Sequence, residues 1–338
     1  MSLFLKLFNT TAEYNAYTAD TANFIKPNVS CTLDDLGTVH YNPWVETRVV
    51  AKYNVTDTSN PTPIGYKQYT SGFSEIEIDG VVQPSVVSAY TFNTTGEHTV
   101  KYTLTDPTSI GGSAFTECTS LTSIVIPSSV TSIGNWAFMY CSSLTRLNIP
   151  SGVTRIGSST FAYCSSLTSI TIPDTVTNID VNAFSRCSSL TNIVIPDSVT
   201  NIGSFAFMSC TSLTSCTIGS GATSIGSDAF IGCSSLISVS INSNAAVEVF
   251  DGSNRSMIQT VVIGDSVTSI RNNAFNGCSS LTSIVCNAAT APTIQSSTFQ
   301  NVKTGGTLTV PQGSSGYDVW MGTGDYYLGK YNWTKVEQ

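Results

Sequence analysis

Charge is scarce in this sequence. Only 11% of its 338 residues are Asp, Glu, Lys or Arg, against about a quarter in ordinary soluble domains. The 14 basic residues are scattered, so no basic stripe exists to follow a phosphate backbone, and nucleic acid is excluded as a partner. Histidine is scarcer still: His40 and His98 are the only two. Both precede the repeats described below, so no Ser-His-Asp or Cys-His relay can form within them. HExxH, paired CxxC, the full GxxxxGK[ST] and an EF-hand run of acids are all missing. Asp174 and Asp197 occupy equivalent turns rather than a facing pair. These gaps predict no catalytic residue, no cofactor and no metal site. Long apolar runs are absent too, so no helix inserts into a membrane. The opening MSLFLKLFNTTAEYNAY has Lys6 inside its short apolar stretch and no small-residue cleavage site, from which synthesis without a secretory leader is expected. What the chain does have is 41% hydrophobic residues set among Ser, Thr, Asn and Gly. That is ample for a core and unlike a disordered chain.

The ten cysteines carry the decisive pattern. Cys118, Cys141, Cys164, Cys187, Cys210 and Cys233 recur at intervals of 23, and Cys278 follows after 45, a 23 and a 22. Each sits in one sentence: Ala-Phe-x-x-Cys-Ser-Ser-Leu-Thr-Ser-Ile-x-Ile-Pro-x-x-Val-Thr-x-Ile-Gly. Phe115, Phe138, Phe161, Phe184, Phe207, Phe230 and Phe275 precede their cysteine by three, and Leu121 through Leu281 follow theirs by three. A period in the twenties with a sustained apolar pattern predicts a solenoid, since one coil alone cannot bury its apolar face. In each coil Leu121, Ile124 and Ile126, or their equivalents, alternate as an inward strand. Val130 and Ile133 form a second inward face, Gly134 turns a corner, and Ala137 and Phe138 plug the third side. Residues 242–264 break the rule, with Arg255 at the cysteine place. The last coil keeps Phe299, Leu308 and Val310 and puts Val302 there. The expected fold is mainly β: a solenoid of about nine coils of 22–24 residues over 107–311, after a small Ig-like β-sandwich.

The phrase AFxxCSSLTSIxIPxxVTxIG resembles BspA-type leucine-rich repeats over roughly 200 residues. The resemblance implies a right-handed solenoid with a parallel sheet along one wall. It also implies a binding or adhesive role of the kind bacterial surface proteins have, without naming a ligand.

Residues 46–106 read as the Ig-like domain: TRVVAKYNV and EHTVKYTL alternate, and FSEIEIDGVVQP is a hairpin turning at Asp79-Gly80. Residues 1–45 lack a core of their own yet carry Phe4, Leu7, Phe8, Tyr14, Tyr17, Phe24 and Trp44. An apolar segment of this kind docks on something, so an attachment or oligomerisation role is expected. Together these flanks resemble the N-terminal portions of virion fibre or decoration proteins of gut Bacteroides phages, including crAss-like phages. That resemblance implies other virion proteins as partners through the N-terminus, a possible homo-oligomer, and a location on the virion. A secreted BspA-like adhesin at the bacterial surface is the alternative. Residues 312–338, with Tyr317, Trp320, Tyr326, Tyr327, Tyr331 and Trp333, are expected to cap the last coil.

The surface residues remain. The outward strand columns are dominated by Thr and Ser, varied by Arg146, Asn148 and Asn192. They read either as a face for a host-surface glycan or protein, or as threonine suited to a half-exposed strand. Phe250, Asp251 and Arg255 in the irregular coil, and Tyr317 and Trp320 in the tail, break the repeat and join them as candidate ligand residues. The ladder cysteines are expected to be buried thiols, since in-register side chains point the same way.

Overall fold

The computed structural model describes residues 31–33, 39–41, 48–66, 68, 70–245 and 254–338, the first two segments by backbone alone. Two short strands, β1 (Cys31–Leu33) and β2 (Val39–Tyr41), pair antiparallel and place His40 in a strand. The attachment candidates Phe4, Leu7, Phe8, Tyr14, Tyr17, Phe24 and Trp44 lie outside the described residues, as do Phe250 and Asp251.

The module that follows is antiparallel. Its strands are β3 (Arg48–Val55), β4 (Thr62–Pro63), β5 (Phe73–Ile78), β6 (Val81–Val82), β7 (Ala89–Tyr90) and β8 (Gly96–Leu104). β3, β8, β5 and β6 make one sheet in that order, and β4 pairs with β7 as a separate ribbon. Alternation drives it: Val49, Ala51, Tyr53 and Val55 on β3, and Val100, Tyr102 and Leu104 on β8, all point inward. Asp79 and Gly80 both hold positive φ, 48° and 86°, which is what the two-residue turn between β5 and β6 requires. The buried hydroxyls of Tyr53 and Tyr102 lie 2.8 Å apart, and both donate to the Ile64 carbonyl. This ties the loop after β4 onto the sheet face. An Ig-like sandwich is not shown: four strands and a ribbon are what these few residues form.

Beyond β9 (Ser109–Ile110) the chain coils into a solenoid of about ten turns, with almost no helix. Most described turns contribute strands to two walls. On the first, strands such as Asn192–Ile195, Ser215–Ile218, Ser238–Ile241, Thr260–Ile263, Ser283–Cys286 and Thr307–Val310 pair parallel and in register. On the second, two-residue strands such as Arg155–Ile156, Asn178–Ile179, Asn201–Ile202 and Ser224–Ile225 do the same. The corner between the second wall and the third side is tight. A Cβ on Gly134 would lie 2.4 Å from the Gly112 nitrogen, so only glycine fits there.

The third side is a stack of left-handed turns. The residues five and one before each cysteine hold positive φ in every described coil from Ser113 and Glu117 onward, through Trp136 and Tyr140 to Asn273 and Gly277. This conformation aims their N–H groups along the solenoid axis. Trp136 donates to Ser158 O at 3.0 Å and Tyr140 to Ala162 O at 2.9 Å, and the pattern repeats up the stack. Inside, Phe115, Phe138, Phe161, Phe184, Phe207 and Phe230 stack with centroids 4.9–5.5 Å apart.

Module and solenoid share one core and one sheet. β10 (Leu121–Val125), the first strand of the solenoid's main wall, pairs antiparallel with β3, while its other edge takes Arg146–Leu147 in parallel. Phe73 and Tyr102 of the module pack on Phe115 at 5.6 and 5.2 Å, extending the phenylalanine stack. At the far end, Thr334–Glu337 adds a last parallel strand to Thr307–Val310.

Candidate functional site

Among the described residues the interior is filled by apolar side chains. The columns of Leu, Ile, Val, Phe and Cys are buried from Ile110 to Val310 and form one continuous core. Among the described residues no three His, Cys, Asp or Glu side chains gather as a metal site, and no helix is long and apolar enough to cross a membrane.

The nine cysteines whose side chains are described are all free and buried. Their sulfurs do more than fill space. Cys141 Sγ donates to Phe115 O at 3.1 Å, and Cys164, Cys187, Cys210 and Cys233 repeat the bond at 3.2 Å with Phe138, Phe161, Phe184 and Phe207. The same carbonyl takes the backbone N–H three residues on, as when Cys164 N–H donates to Phe161 O at 3.2 Å. Burial pushes the thiols up, Cys118 and Cys187 to about 12, which removes the thiolate that oxidation and metal binding require. In the irregular coil this place belongs to Asn254, not Arg255. Asn254 is fully buried and its Nδ2 donates to Phe230 O at 3.3 Å. The side chain that must be swallowed there is the one able to donate inward, and a guanidinium is not a substitute for a thiol in a dry core. Arg255 instead opens a short turn, Arg255–Met257, and reaches Asn276 O at 3.4 Å.

The strand wall carries the remaining sequence candidates. Arg146, Asn148 and Asn192 are exposed on it. The threonine column beside them is structural in large part. Thr145, Thr191 and Thr214 each donate their hydroxyl to the threonine carbonyl of the preceding coil, at 3.0, 3.4 and 3.0 Å. At residues 169–172 the wall has no strand, while the second wall continues unbroken. A shallow cleft of about 360 Å³ opens there, lined by Ser169, Thr171, Asp174, Asn192, Val194 and Pro196. Of the three wall candidates, only Asn192 reaches it.

Tyr317 and Trp320 are not on the surface. Both are 1% exposed, with Tyr317 Oη donating to Ala288 O at 2.7 Å and Trp320 Nε1 to Pro292 O at 3.0 Å. Trp320 packs on Phe299 at 5.3 Å. An open last coil exposes its core, and the largest apolar side chains nearby close it.

In the tail Tyr326 is the exposed aromatic, at 40%; two more lie on the turn side of the early coils. Trp136 is 46% and Tyr140 38% exposed. Tyr140 stacks on Tyr163 with centroids 4.4 Å apart, and the Arg186 guanidinium lies 5.2 Å from the Tyr163 centroid. With exposed Glu117 they form a ridge, one residue per coil: Glu117, Tyr140, Tyr163, Arg186. The sequence reading passed over this ridge. Its signal was the place just before the cysteine, which is Ser or Gly in later coils and aromatic only here.

A family model for the BspA type leucine rich repeat region matches residues 85–210, 154–254 and 246–316, in 6 copies. The chain belongs to this family. Among solved structures, this BspA-type repeat chain is similar to a leucine rich cell surface protein from Faecalibacterium prausnitzii, with 22% identity over 70% of this chain and 83% of that one, TM-score 0.35. It is similar also to the leucine rich repeat protein of T. pallidum, at 26% identity over 57% and 69%, TM-score 0.31. A leucine-rich repeat protein from Bacteroides ovatus is 20% identical over 73% and 90%, TM-score 0.25. Among curated proteins none matches.

Proposed function

We propose that this BspA-type protein is a non-enzymatic adhesin that works at a cell surface, holding a partner on the outside of its solenoid. The observation that supports this most is the combination of an apolar, filled core with two exposed aromatics, Trp136 and Tyr140, in one early coil. The molecule has a rigid platform and a local departure from its own repeat, which is where recognition usually sits. The antiparallel module and the aromatic tail close the two ends, so the lateral surfaces are what a partner meets. The segment 1–45 belongs to this reading as the attachment end, to an assembly or to copies of itself. The test uses beads coated with the purified full chain, laid on cultured epithelial cells under flow. Retention that soluble protein competes away is the expected result, and beads that wash off like albumin-coated ones end the reading.

A second reading places the same solenoid on a phage particle as a fibre or decoration, assembled through residues 1–45 with capsid or tail proteins. What favours it is the apolar content of that segment and its resemblance to virion proteins. Immunogold labelling separates the two: particles carry gold if the virion reading holds, cell envelopes if the adhesin reading holds. Deleting residues 1–45 should leave β-rich circular dichroism unchanged and abolish incorporation or display. A truncated protein that still incorporates reverses the proposed polarity.

A further inference from the structure

The ridge on the early coils is built at a cost that packing does not require. Trp136, Tyr140, Tyr163 and Arg186 have φ of 59°, 63°, 63° and 61°. Bulky side chains are uncommon in that region, and glycine, asparagine or aspartate adopt it with less strain. The protein uses those residues at the same places in other coils: Gly232 and Gly277 stand where Tyr140 does, and Asn182, Asp228 and Asn273 where Trp136 does, while Phe205, the other aromatic in the Trp136 column, is half-buried. The fold needs the left-handed turn, not the aromatic ring. The rings are also not hidden, since Trp136 and Tyr140 are among the most exposed large apolar side chains of the solenoid. Strain and exposure together, on neighbouring residues of one coil, are the mark of a side chain kept for a partner.

The surroundings describe the partner. The places above and below Trp136 in its column are Ser113 and Ser159, both small, so the indole is not stacked on a neighbouring ring. Asn135, Ser142, Ser158 and Ser165 supply amides and hydroxyls nearby in the same coils. Glu117 and Arg186 end the tyrosine column with opposite charges, so the ridge has no net sign, while the whole chain carries −8. A stable protein partner needs about 800 Å² of closely packed surface with a sealed apolar centre. A ridge of three aromatic side chains, with serines beside them in the sequence, offers much less. A sugar ring matches it. Its C–H face packs on the negative face of an aromatic ring, and its hydroxyls meet serine, asparagine and the two charged ends. The negative chain disfavours sialylated or sulfated glycans.

We infer that the Trp136–Tyr140–Tyr163 ridge is a binding site for a neutral oligosaccharide, oriented by the Glu117 and Arg186 ends. The inference rests on the adhesive role proposed above and gives it a ligand class and a place.

The experiment uses the full chain on an array of immobilised neutral, sialylated and sulfated oligosaccharides, followed by titration of the best binder with tryptophan fluorescence. The variants are Trp136→Asn and Tyr140→Gly, each a residue that the repeat already places there. Both should bind roughly tenfold or more weakly, with a melting temperature no lower than that of the parent. Asn192→Ala on the strand wall should bind as the parent does. Binding to no neutral glycan overturns the inference, as does binding confined to sulfated or sialylated ones. So does a marked drop in melting temperature for both ridge variants, which would make the aromatics structural, or a loss of binding in Asn192→Ala, which would put the ligand on the wall. If coated beads still adhere to cells while the array stays blank, adhesion stands and the glycan site falls.

Discussion

Each inward column is a test of the repeat at one side chain. Leu190 is fully buried in a middle coil, with a leucine in the equivalent place above and below it. Truncation to alanine leaves a cavity that rigid neighbours cannot fill. Leu190→Ala should cost about 2–5 kcal/mol in denaturant unfolding, and a loss under about 1 kcal/mol would mean the wall collapses onto the gap. The cysteines make a second test. Because burial raises their pKa and each described sulfur is unpaired, a thiol reagent should find few groups in the native protein. After denaturation without reductant it should find all ten cysteines of the sequence. A native mass short by pairs of hydrogens would contradict this. The carbonyl that takes both a backbone N–H and a thiol explains why the column is cysteine where the space alone would admit valine or alanine.

The hairpin of β5 and β6 is the element with the clearest dependence on pH. His98 on β8 sits 2.6 Å from the Asp79 carboxylate through Nδ1, and its Nε2 meets Thr94 O at 2.9 Å. Burial disfavours the charged ring, but the Asp79 hydrogen bond and the Thr94 carbonyl outweigh it, so the pKa is raised above 6.5. A raised folded value stabilises the protein fully below the unfolded value, and that contribution is lost as pH rises through the folded one. The melting temperature should therefore decline as pH rises from about 6 to 8, and His98→Gln should flatten that dependence. An unchanged slope in the variant would assign it to other groups. On the opposite face of the sheet, Arg48 bridges Glu75 and Glu77 at 2.8 and 3.0 Å and Lys101 reaches Glu77 at 2.6 Å. The Lys101 hydrogen bond leads in lowering the Glu77 pKa. Its contribution runs the other way, present at neutral pH and lost in acid.

At the scale of the molecule, a parallel solenoid has two raw ends, and this one closes them differently. The first is covered by β3 pairing antiparallel with β10 and by module aromatics reaching Phe115. The last is covered by Tyr317, Trp320, Leu328 and Trp333, all buried, and by the Thr334–Glu337 strand. The outer edge of that strand carries Lys335 and Glu337, and Lys335 pairs with Asp318 at 3.0 Å. Charges on an exposed edge discourage a second copy from adding itself. Deleting residues 312–338 should thus leave Thr307–Val310 as an uncharged open edge and yield aggregates in size-exclusion chromatography. A monodisperse truncated chain would show that the solenoid needs no cap at this end.

The period of 23, the inward Leu, Ile, Val and Phe columns, the buried cysteines and the capping tail were all legible in the residues. Repetition makes one coil's pattern evidence for every other, and apolar periodicity reads directly as burial. The hairpin at Asp79-Gly80 was legible for a similar reason, since two consecutive residues suited to positive φ leave few other turns. Tertiary structure alone decided that the β module is not a separate bead but the first strand of the wall. Edge pairing between β3 and β10 joins residues about seventy positions apart and leaves no periodic trace. It alone moved the cysteine place from Arg255 to Asn254, because a shortened coil shifts register and only burial shows which side chain turns inward. It also took Tyr317 and Trp320 out of the surface and put Trp136 and Tyr140 on it. Aromatic residues look alike in a sequence, and whether one is core or surface depends on the backbone that aims it: here, left-handed turns whose N–H groups must bond the next coil.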